Sequence, residues 1–232
     1  MQRYVFDAYG TLFNLHAAAE RYQGAIGPQW QPLSERWRSK HIEYTWHHSL
    51  TGTPASFWLL AERSLDFAIA ATGAPVSGEI RADLLAAYRC MQPYPEVMEV
   101  LGLLKDTGAR LAILSNGDPD MLADAVSAAG LPGVFDAVLS VRAAGIFKPA
   151  RAVYQLATDH FGCRAEQICF SSSNRWDIAG AKAFGFHCIW VNRTGAPDEY
   201  PELAPDGVIA DLRDLLDRSK PSLAGGAGSG PG

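Results

Sequence analysis

The sequence predicts an α/β fold, namely a doubly wound, mainly parallel sheet with a Rossmann-like core and an inserted helical cap subdomain. From residue 94 onward, short β-prone apolar runs alternate with helical segments, and strands joined by crossover helices form parallel sheets covered on both faces. An isolated N-terminal strand is followed only by helical patterns up to residue 91. The 232 residues, 48% apolar and 19% charged, suffice for one large domain or a core with one insertion.

The N-terminal part of the chain combines one strand with a helical block. Residues 3–9 form an apolar, β-prone run that a glycine ends, which predicts a buried strand. Apolar residues recur at helical spacing near 30–49, and residues 56–71 behave likewise before Gly73. We therefore expect residues 14–91 to form a helical cap subdomain.

The remaining segments complete a core domain that we predict at residues 1–13 and 92–219. They are helix 95–107, strand 110–115, helix 119–129, strand 135–141, helix 150–161, strand 167–172, helix 175–184, strand 187–191, a short strand near 207–210 and a helix near 211–218. Residues 220–232 are rich in Gly, with Ser and Pro. Such a segment buries too little apolar surface to order itself, so we expect a flexible tail.

Composition and charge argue against several classes of function. Twenty basic and 25 acidic residues leave a net charge of −5, and no long Lys or Arg run offers a footprint for nucleic acid. No apolar run approaches the roughly 18 residues of a membrane span. The four cysteines form no C-x-x-C pair, so we expect reduced, inert thiols. Because no cleavable apolar segment precedes the first strand, the cytoplasm is the expected location.

Polar residues gather at the carboxyl ends of the predicted strands, where open α/β sheets bind ligands. Asp7 ends the first strand, Ser115 and Asn116 end the second, Lys148 precedes a helix, and 171–177 carries three hydroxyls, an amide and a carboxylate. Each has a plainer interpretation. Asp7 fits a turn cap as well as a nucleophile, and a lone loop lysine is usually solvated unless a carboxylate lies near.

The next helix start has a structural interpretation of its own. Asp118 and Pro119 fit the N-cap and N1 positions of the helix at 119–129. We therefore predict that Asp118 caps this helix.

Taken together, these motifs resemble the haloacid dehalogenase superfamily and, within it, the L-2-haloacid dehalogenases. The resemblance rests on Phe6-Asp7-Ala8-Tyr9-Gly10-Thr11-Leu12-Phe13, Leu114-Ser115-Asn116-Gly117, Lys148-Pro149 and Ser172-Ser173-Asn174-Arg175-Trp176-Asp177. It extends to about residue 215 and includes Trp37-Arg38 and Glu43-Tyr44-Thr45-Trp46. It implies a hydrolase acting on carbon–halide bonds, an (S)-2-haloacid dehalogenase that needs no cofactor and no metal.

Two positions favour dehalogenation over the phosphatase activity of most superfamily members. Phosphatases of the family resemble D-x-D-x-T/V, with the second Asp as general acid and a metal-binding acid in the last motif, whereas this chain has Tyr9 and Ser173 there. Phosphoester cleavage benefits from that acid and from Mg²⁺, whereas halide leaves without a proton once its charge is stabilised. A Mg-dependent small-molecule phosphatase and a non-catalytic binding protein remain the alternatives.

The resemblance also implies a mechanism. Asp7 attacks C2 of a short L-2-haloalkanoate with inversion, and water then hydrolyses the aspartyl ester to give a D-2-hydroxy acid. Thr11 and Lys148 orient and ionise Asp7. The other assignments are Ser115, with backbone N–H groups near Tyr9 and Gly10 or Asn116, for the substrate carboxylate, and Asp177 with Ser172 and Asn174 for the hydrolytic water. Tyr154 matches a tyrosine of the family site, although a packed helical residue fits its spacing equally well.

Arg38 has two interpretations. On a helix it can pair with Glu35 at the surface, whereas the resemblance makes it the halide acceptor, helped by Asn116 and an aromatic wall of Phe57 and Trp176. The six histidines show no metal-binding pattern, and we assign none of them to catalysis. The expected partners are a small 2-halocarboxylate, water and a second copy of the chain in a homodimer.

Overall fold

The computed structural model describes residues 1–218. Residue 219 and the predicted tail at 220–232 lie outside the described residues. Within the described part, six strands form one sheet in the order β3-β2-β1-β4-β5-β6, and each neighbouring pair is parallel. The strands are β1 (Arg3–Phe6), β2 (Arg110–Ser115), β3 (Ala137–Ser140), β4 (Cys169–Ser172), β5 (His187–Val191) and β6 (Gly207–Ile209). The predicted fold class is confirmed.

The helices fall into two stretches of the chain. Those before β2 are α1 (Ala17–Glu20), α2 (Gln23–Ile26), α3 (Trp30–Thr51), α4 (Phe57–Thr72), α5 (Gly78–Arg89) and α6 (Val97–Asp106). Those after β2 are α7 (Pro119–Ala128), α8 (Arg151–Phe161), α9 (Arg175–Phe184) and α10 (Asp214–Arg218). Helices α1 to α5 lie inside the segment assigned to the cap, whose independence as a subdomain remains a prediction. None of the helices in residues 1–218 is both long and apolar enough to cross a membrane.

The observed β1 is shorter than the predicted strand at 3–9. The chain leaves the sheet after Phe6 because the Ala8 carbonyl accepts the N–H groups of Leu12 and Phe13, at 2.9 and 3.1 Å. Gly10, with φ +90°, permits this tight turn. Asp7 therefore lies just beyond the strand, at the carboxyl edge of the sheet.

Several other boundaries also differ from prediction. β3 begins two residues later than predicted, and the residue just before it, Asp136, accepts the Leu111 N–H with its side chain at 2.8 Å. β4 begins at Cys169 because residues 165–167 form a 3-10 turn. By contrast, β2, α9 and β5 span the predicted residues.

The helical block is attached directly above the carboxyl edge of the sheet. The two segments that join this block to the sheet run side by side. The Asn14 N–H donates to the Gln92 carbonyl and the Tyr94 N–H donates to the Leu12 carbonyl, each at 3.0 Å. Because Leu12 follows the turn after Asp7, the block begins within a few residues of the candidate nucleophile. One apolar core runs from the sheet into this block.

Asp118 occupies the predicted N-cap position of α7, but its side chain does not cap that helix. Its Oδ2 instead accepts the backbone N–H of Trp58, in the first turn of α4, at 2.8 Å. The prediction that the Asp118 side chain caps α7 is therefore wrong, because the carboxylate binds the first turn of α4 instead. Local sequence could not reveal that α4 brings an unpaired N–H group to the same carboxylate.

Candidate active site

The Asp7 carboxylate lies at the centre of a polar cluster and is only 5% exposed. Its Oδ1 accepts a hydrogen bond from Lys148 Nζ at 3.1 Å. Its Oδ2 accepts from Thr11 Oγ at 3.0 Å and Asn174 Nδ2 at 2.8 Å, with Ser172 Oγ at 3.4 Å. Side chains from three widely separated segments thus converge on one buried carboxylate. Five of the predicted catalytic residues are in direct contact.

Lys148 joins two carboxylates. Its ammonium group is 1% exposed and lies 3.1 Å from Asp7 Oδ1 and 2.7 Å from Asp177 Oδ2. Burial alone would lower the pKa of Lys148, but the charges of Asp177 and Asp7 outweigh burial and raise it above its ordinary value. The lysine therefore stays protonated and holds both carboxylates in place.

Asp177 is fully buried in the first turn of α9. Besides Lys148, its carboxylate accepts the Tyr154 hydroxyl at 2.8 Å. Burial raises the pKa of Asp177 to about 6; Lys148 opposes this shift, and the Asp7 charge adds to it. A carboxylate with such a pKa can accept a proton near neutral pH.

Tyr154 reaches the site because α9 carries a glycine opposite it. A Cβ at Gly180 would lie 2.5 Å from both Tyr154 Oη and Pro149 Cβ. The phenol is completely buried, and besides the carboxylate its hydroxyl donates to the Asp177 carbonyl at 3.2 Å. Tyr154 is therefore both a packed helical residue and a residue of the site, so the two interpretations offered by the sequence hold together.

Arg38 of α3 turns toward the site, and its hydrogen bonds go to Asn174 and Tyr9 rather than Glu35. Its Nη2 donates to Asn174 Oδ1 at 3.1 Å and to the Tyr9 carbonyl at 3.5 Å. Glu35 instead accepts from Gln31 on its own helix. Arg38 Nη1 is buried and has no hydrogen-bond partner within the described chain. The predicted ion pair between Arg38 and Glu35 is therefore wrong. Arg38 Nη1 instead offers a cationic donor beside Asn174.

Ser115 and Asn116 follow β2 and belong to the same edge. Asn116 Oδ1 accepts the backbone N–H of Lys148 at 2.9 Å, which ties the end of β2 to the lysine. Ser115 Oγ is fully buried and accepts the Gly117 N–H at 3.1 Å. The hydroxyl hydrogen of Ser115 remains available to an acceptor.

The predicted aromatic residues occupy two separate contacts. Phe57 packs on Tyr9 with ring centroids 5.5 Å apart, while Trp176 meets Trp46 edge-on at 5.6 Å. Trp176 borders a cavity of about 300 Å³ together with Arg38, Asn174, Tyr94, Trp190 and Arg193. Within residues 1–218 no ring contact joins Phe57 to Trp176, so each would contribute a different part of the predicted wall.

Ser173 and Tyr88 make contacts in the site that the sequence did not predict. Ser173 donates its backbone N–H to Thr11 Oγ at 2.8 Å and accepts from that hydroxyl at 3.2 Å. Tyr88 of α5 stacks on Tyr9 with centroids 5.7 Å apart, and its hydroxyl contacts His41 at 3.1 Å. Tyr88 lies in the helical block far along the chain from any strand end, so no local pattern connects it with the site.

The residues present offer little to a divalent cation. Across the described chain, no group of three or more His, Cys, Asp and Glu side chains is arranged to hold a metal ion. The two nearest carboxylates, Asp7 and Asp177, both bond to the Lys148 ammonium. A hard cation prefers six or more oxygen ligands, and a cation of the protein already lies between these two.

The fold and this cluster together define a Rossmann-like α/β protein with a buried aspartate at the carboxyl edge of a parallel sheet. The chain belongs to the haloacid dehalogenase-like hydrolase family, whose model matches residues 1–185. Among curated relatives, it is 42% identical to (S)-2-haloacid dehalogenase 1 of Pseudomonas sp. (strain CBS-3), over 91% of this chain and 95% of the relative. It is 40% identical to (S)-2-haloacid dehalogenase 4A of Burkholderia cepacia, over 87% of each chain.

Solved structures agree with this assignment. The L-2-haloacid dehalogenase RSc1362 superposes with a TM-score of 0.90 at 41% identity, covering 94% of this chain and 98% of the other. The L-2-haloacid dehalogenase from Xanthobacter autotrophicus with chloropropionic acid covalently bound has a TM-score of 0.83 at 35% identity, covering 94% and 99%. The predicted family, fold class and hydrolase class are confirmed.

Proposed function

We propose that this enzyme hydrolyses the carbon–halogen bond of short L-2-haloalkanoic acids through an ester on Asp7 and releases D-2-hydroxy acids. The observation that carries this proposal is the buried Asp7 carboxylate, held by Lys148 and Thr11 and linked through Asn174 to Arg38. The relatives named (S)-2-haloacid dehalogenase support the same reaction, as does the L-2-haloacid dehalogenase from Xanthobacter autotrophicus with chloropropionic acid covalently bound.

The first step is a substitution at C2. An Asp7 oxygen attacks from the side opposite the halogen, so that a carbon–oxygen bond forms, the carbon–halogen bond breaks and halide leaves with the bonding electrons. Among the described residues, Oδ1 accepts a hydrogen bond from Lys148 alone, whereas Oδ2 accepts up to three. Oδ1 therefore keeps a lone pair for attack. Back-side displacement inverts C2, which converts an L-haloacid into a D-configured ester.

The second step restores the carboxylate. Water adds to the Asp7 side-chain carbonyl carbon, and the bond between this carbon and the ester oxygen Oδ1 breaks. Oδ1 leaves as the hydroxyl of the hydroxy acid, the water oxygen stays in the Asp7 carboxylate, and one proton is released overall. Asp177 accepts the proton of the attacking water, for which a pKa of about 6 suits it. Lys148 and Tyr154 orient that carboxylate. Ser172 and Asn174, both bonded to Asp7 Oδ2, hold the ester carbonyl.

The helical segment at 14–91 acts as a cap that encloses the substrate. It supplies Arg38, whose free Nη1 receives the departing halide, and Phe57, which packs over Tyr9. Exclusion of water strengthens the attraction between the guanidinium and the halide. Ser115 and neighbouring backbone N–H groups at the turn after β1 bind the substrate carboxylate, with Tyr9 and Asn116 beside them. The 300 Å³ cavity at Trp176 gives the halide a way out.

Phosphatase chemistry fits the same residues less well. Tyr9 holds the position of the phosphatase acid, but its hydroxyl is buried and has no hydrogen-bond partner among residues 1–218. Burial raises the pKa of Tyr9 well above its ordinary value, so the phenol is held protonated among aromatic rings. It makes no hydrogen bond to Asp7 in the described structure and is poorly suited to protonate a leaving alkoxide.

The test is ion chromatography of halide released from a panel of L- and D-2-haloacids, with p-nitrophenyl phosphate and Mg²⁺ assayed in parallel. We expect halide from L-2-chloropropionate, none from the D-isomer and no phosphatase turnover. Asp7→Asn should abolish release. Brisk phosphate release without halide would favour the phosphatase, and an Asp7→Asn protein that keeps every measurable function would favour a binding protein.

Isotope labelling tests the covalent step. In ¹⁸O water, repeated turnover should place label in the Asp7 carboxylate, since water attacks the aspartyl carbonyl. Product labelled in the first turnover, with none ever in the protein, would instead mean direct attack by water on C2. The homodimer, the cytoplasmic location and the independence from metal remain predictions.

A further inference from the structure

A second polar group lies buried in the helical block, behind Arg38. His41 of α3 is fully buried, with Nε2 3.0 Å from the Phe57 carbonyl and Nδ1 3.1 Å from the Tyr88 hydroxyl. A carbonyl only accepts, so Nε2 carries the hydrogen and Nδ1 accepts from Tyr88. Burial and the Arg38 charge lower the pKa of His41 to about 3, so the imidazole is neutral at any physiological pH.

This tautomer decides how Tyr88 meets Arg38. The Tyr88 hydrogen points at His41, so the lone pairs of its oxygen are left for another donor. Arg38, His41 and Tyr88 border one void of about 10 Å³. Burial raises the pKa of Tyr88 to about 12, and the nearby Arg38 charge opposes that rise. With its hydrogen directed at His41, the Tyr88 oxygen presents only lone pairs to the neighbouring guanidinium and attracts it.

The other side of the guanidinium leads to the nucleophile. Arg38 Nη2 donates to Asn174 Oδ1 at 3.1 Å, and Asn174 Nδ2 donates to Asp7 Oδ2 at 2.8 Å. Tyr88 also stacks on Tyr9, with an interplanar angle of 5°. One series of hydrogen bonds thus joins the first residue of α4 to Tyr88 through His41, and another joins Arg38 to the reacting carboxylate through Asn174. The two series meet at the void that Tyr88 and Arg38 both border.

We propose that His41 and Tyr88 are positioning residues that hold the Arg38 guanidinium so that Nη1 faces the departing halide. The role rests on the proposed function. His41 supplies the acceptor that fixes the Tyr88 hydroxyl, and Tyr88 supplies the oxygen that fixes Arg38. A side chain without an acceptor at position 41 would let the hydroxyl rotate and present its hydrogen to the cation, which repels it.

The experiment compares kcat/KM for L-2-chloropropionate and L-2-bromopropionate in Tyr88→Phe, His41→Leu and His41→Gln. Chloride is the poorer leaving group and depends more on the Arg38 charge. We expect Tyr88→Phe and His41→Leu to lose about tenfold more activity on the chloride than on the bromide, the scale of one hydrogen bond to a charged group. His41→Gln, whose amide also offers one acceptor and donors, should restore the ratio to within about threefold of wild type.

A matched control separates positioning from packing. Trp37→Phe removes a buried hydrogen bond to the Ala61 carbonyl and alters the ring against Tyr88, so it should lower the Tm but leave the chloride-to-bromide ratio unchanged. An unchanged ratio in Tyr88→Phe in an active enzyme would overturn the positioning role. Tyr88→Phe keeps the stacked ring and so decides the question even where His41→Leu fails to fold.

A readout independent of turnover keeps the two proposals apart. Anomalous scattering from crystals soaked in NaBr should place bromide at Arg38 Nη1 in wild type and move or empty that position in Tyr88→Phe. If the wild type releases no halide, the proposed function fails. The positioning role fails separately if bromide and guanidinium occupy the same places in both proteins.

Discussion

Replacing Lys148 by methionine removes the cation that two buried carboxylates share. Lys148 Nζ lies 3.1 Å from Asp7 and 2.7 Å from Asp177, and the lysine is 1% exposed. Breaking a buried pair by deleting one partner costs about 3–5 kcal/mol, because it leaves charge uncompensated. For a domain of this size, that corresponds to a Tm lower by roughly 6–20 °C.

Activity should fall for the same reason. The two charge-assisted hydrogen bonds are each worth about 1.5–3 kcal/mol. If both are kept in the transition state, their loss corresponds to roughly 10²- to 10⁴-fold in halide release. The assay is ion chromatography of chloride from L-2-chloropropionate at pH 8, with protein concentrations matched by absorbance.

The stability defect should also depend on pH. Without the ammonium, the pKa of Asp177 rises further above its unfolded value of about 3.9, so the folded variant binds more protons than the unfolded chain. Its stability is then greatest at low pH and is lost as pH rises through the folded pKa. The Tm of Lys148→Met should therefore lie further below that of the wild type at pH 8 than at pH 5.

The matched control is Lys182→Met. Lys182 lies 2.7 Å from Asp206 at the surface, with side chains 32% and 27% exposed. Such pairs contribute at most about 1 kcal/mol, so this variant should keep full activity and nearly the wild-type Tm. A Lys148→Met protein with more than a tenth of wild-type activity and a Tm no lower than that of the control would refute the reasoning.

Three further predictions follow from the site. Gly180→Ala should lower stability by about 1–3 kcal/mol and reduce activity, because the new Cβ would lie 2.5 Å from Tyr154 Oη. The control Gly102→Ala lies in α6 with open space around it and should lower neither stability nor activity. Equal behaviour of the two variants would contradict this prediction. The rate of ester hydrolysis in single turnover should decline as pH falls below about 6, where Asp177 becomes protonated. Tyr154→Phe should move the midpoint of this pH profile upward, because the Tyr154 hydrogen bond lowers the pKa of Asp177. A rate independent of pH from 5 to 8 would argue against Asp177 as the base. Halide release should persist in EDTA, and loss that Mg²⁺ restores would show that a metal participates.

Much of the architecture was readable from the sequence because burial follows periodicity. The β2, α9 and β5 bounds match the predicted residues, since each has a clear apolar pattern and a polar or glycine boundary. The motifs at the strand ends also led to the correct family, because parallel strands bring their carboxyl ends to one edge. The sequence therefore determined the fold class, the nucleophile candidate and most of the side chains that surround it.

Only the tertiary structure decided between alternatives that local sequence leaves equal. Arg38 could pair with Glu35 along its own helix, yet it bonds to Asn174, 136 residues away in the chain. Asp118 has the right position to cap α7, yet it binds α4. Tyr88 and His41 carry no motif at all. Local sequence leaves such partners open, and the packing of the helical block against the sheet edge decides between them because it removes these groups from water and brings distant polar groups within reach.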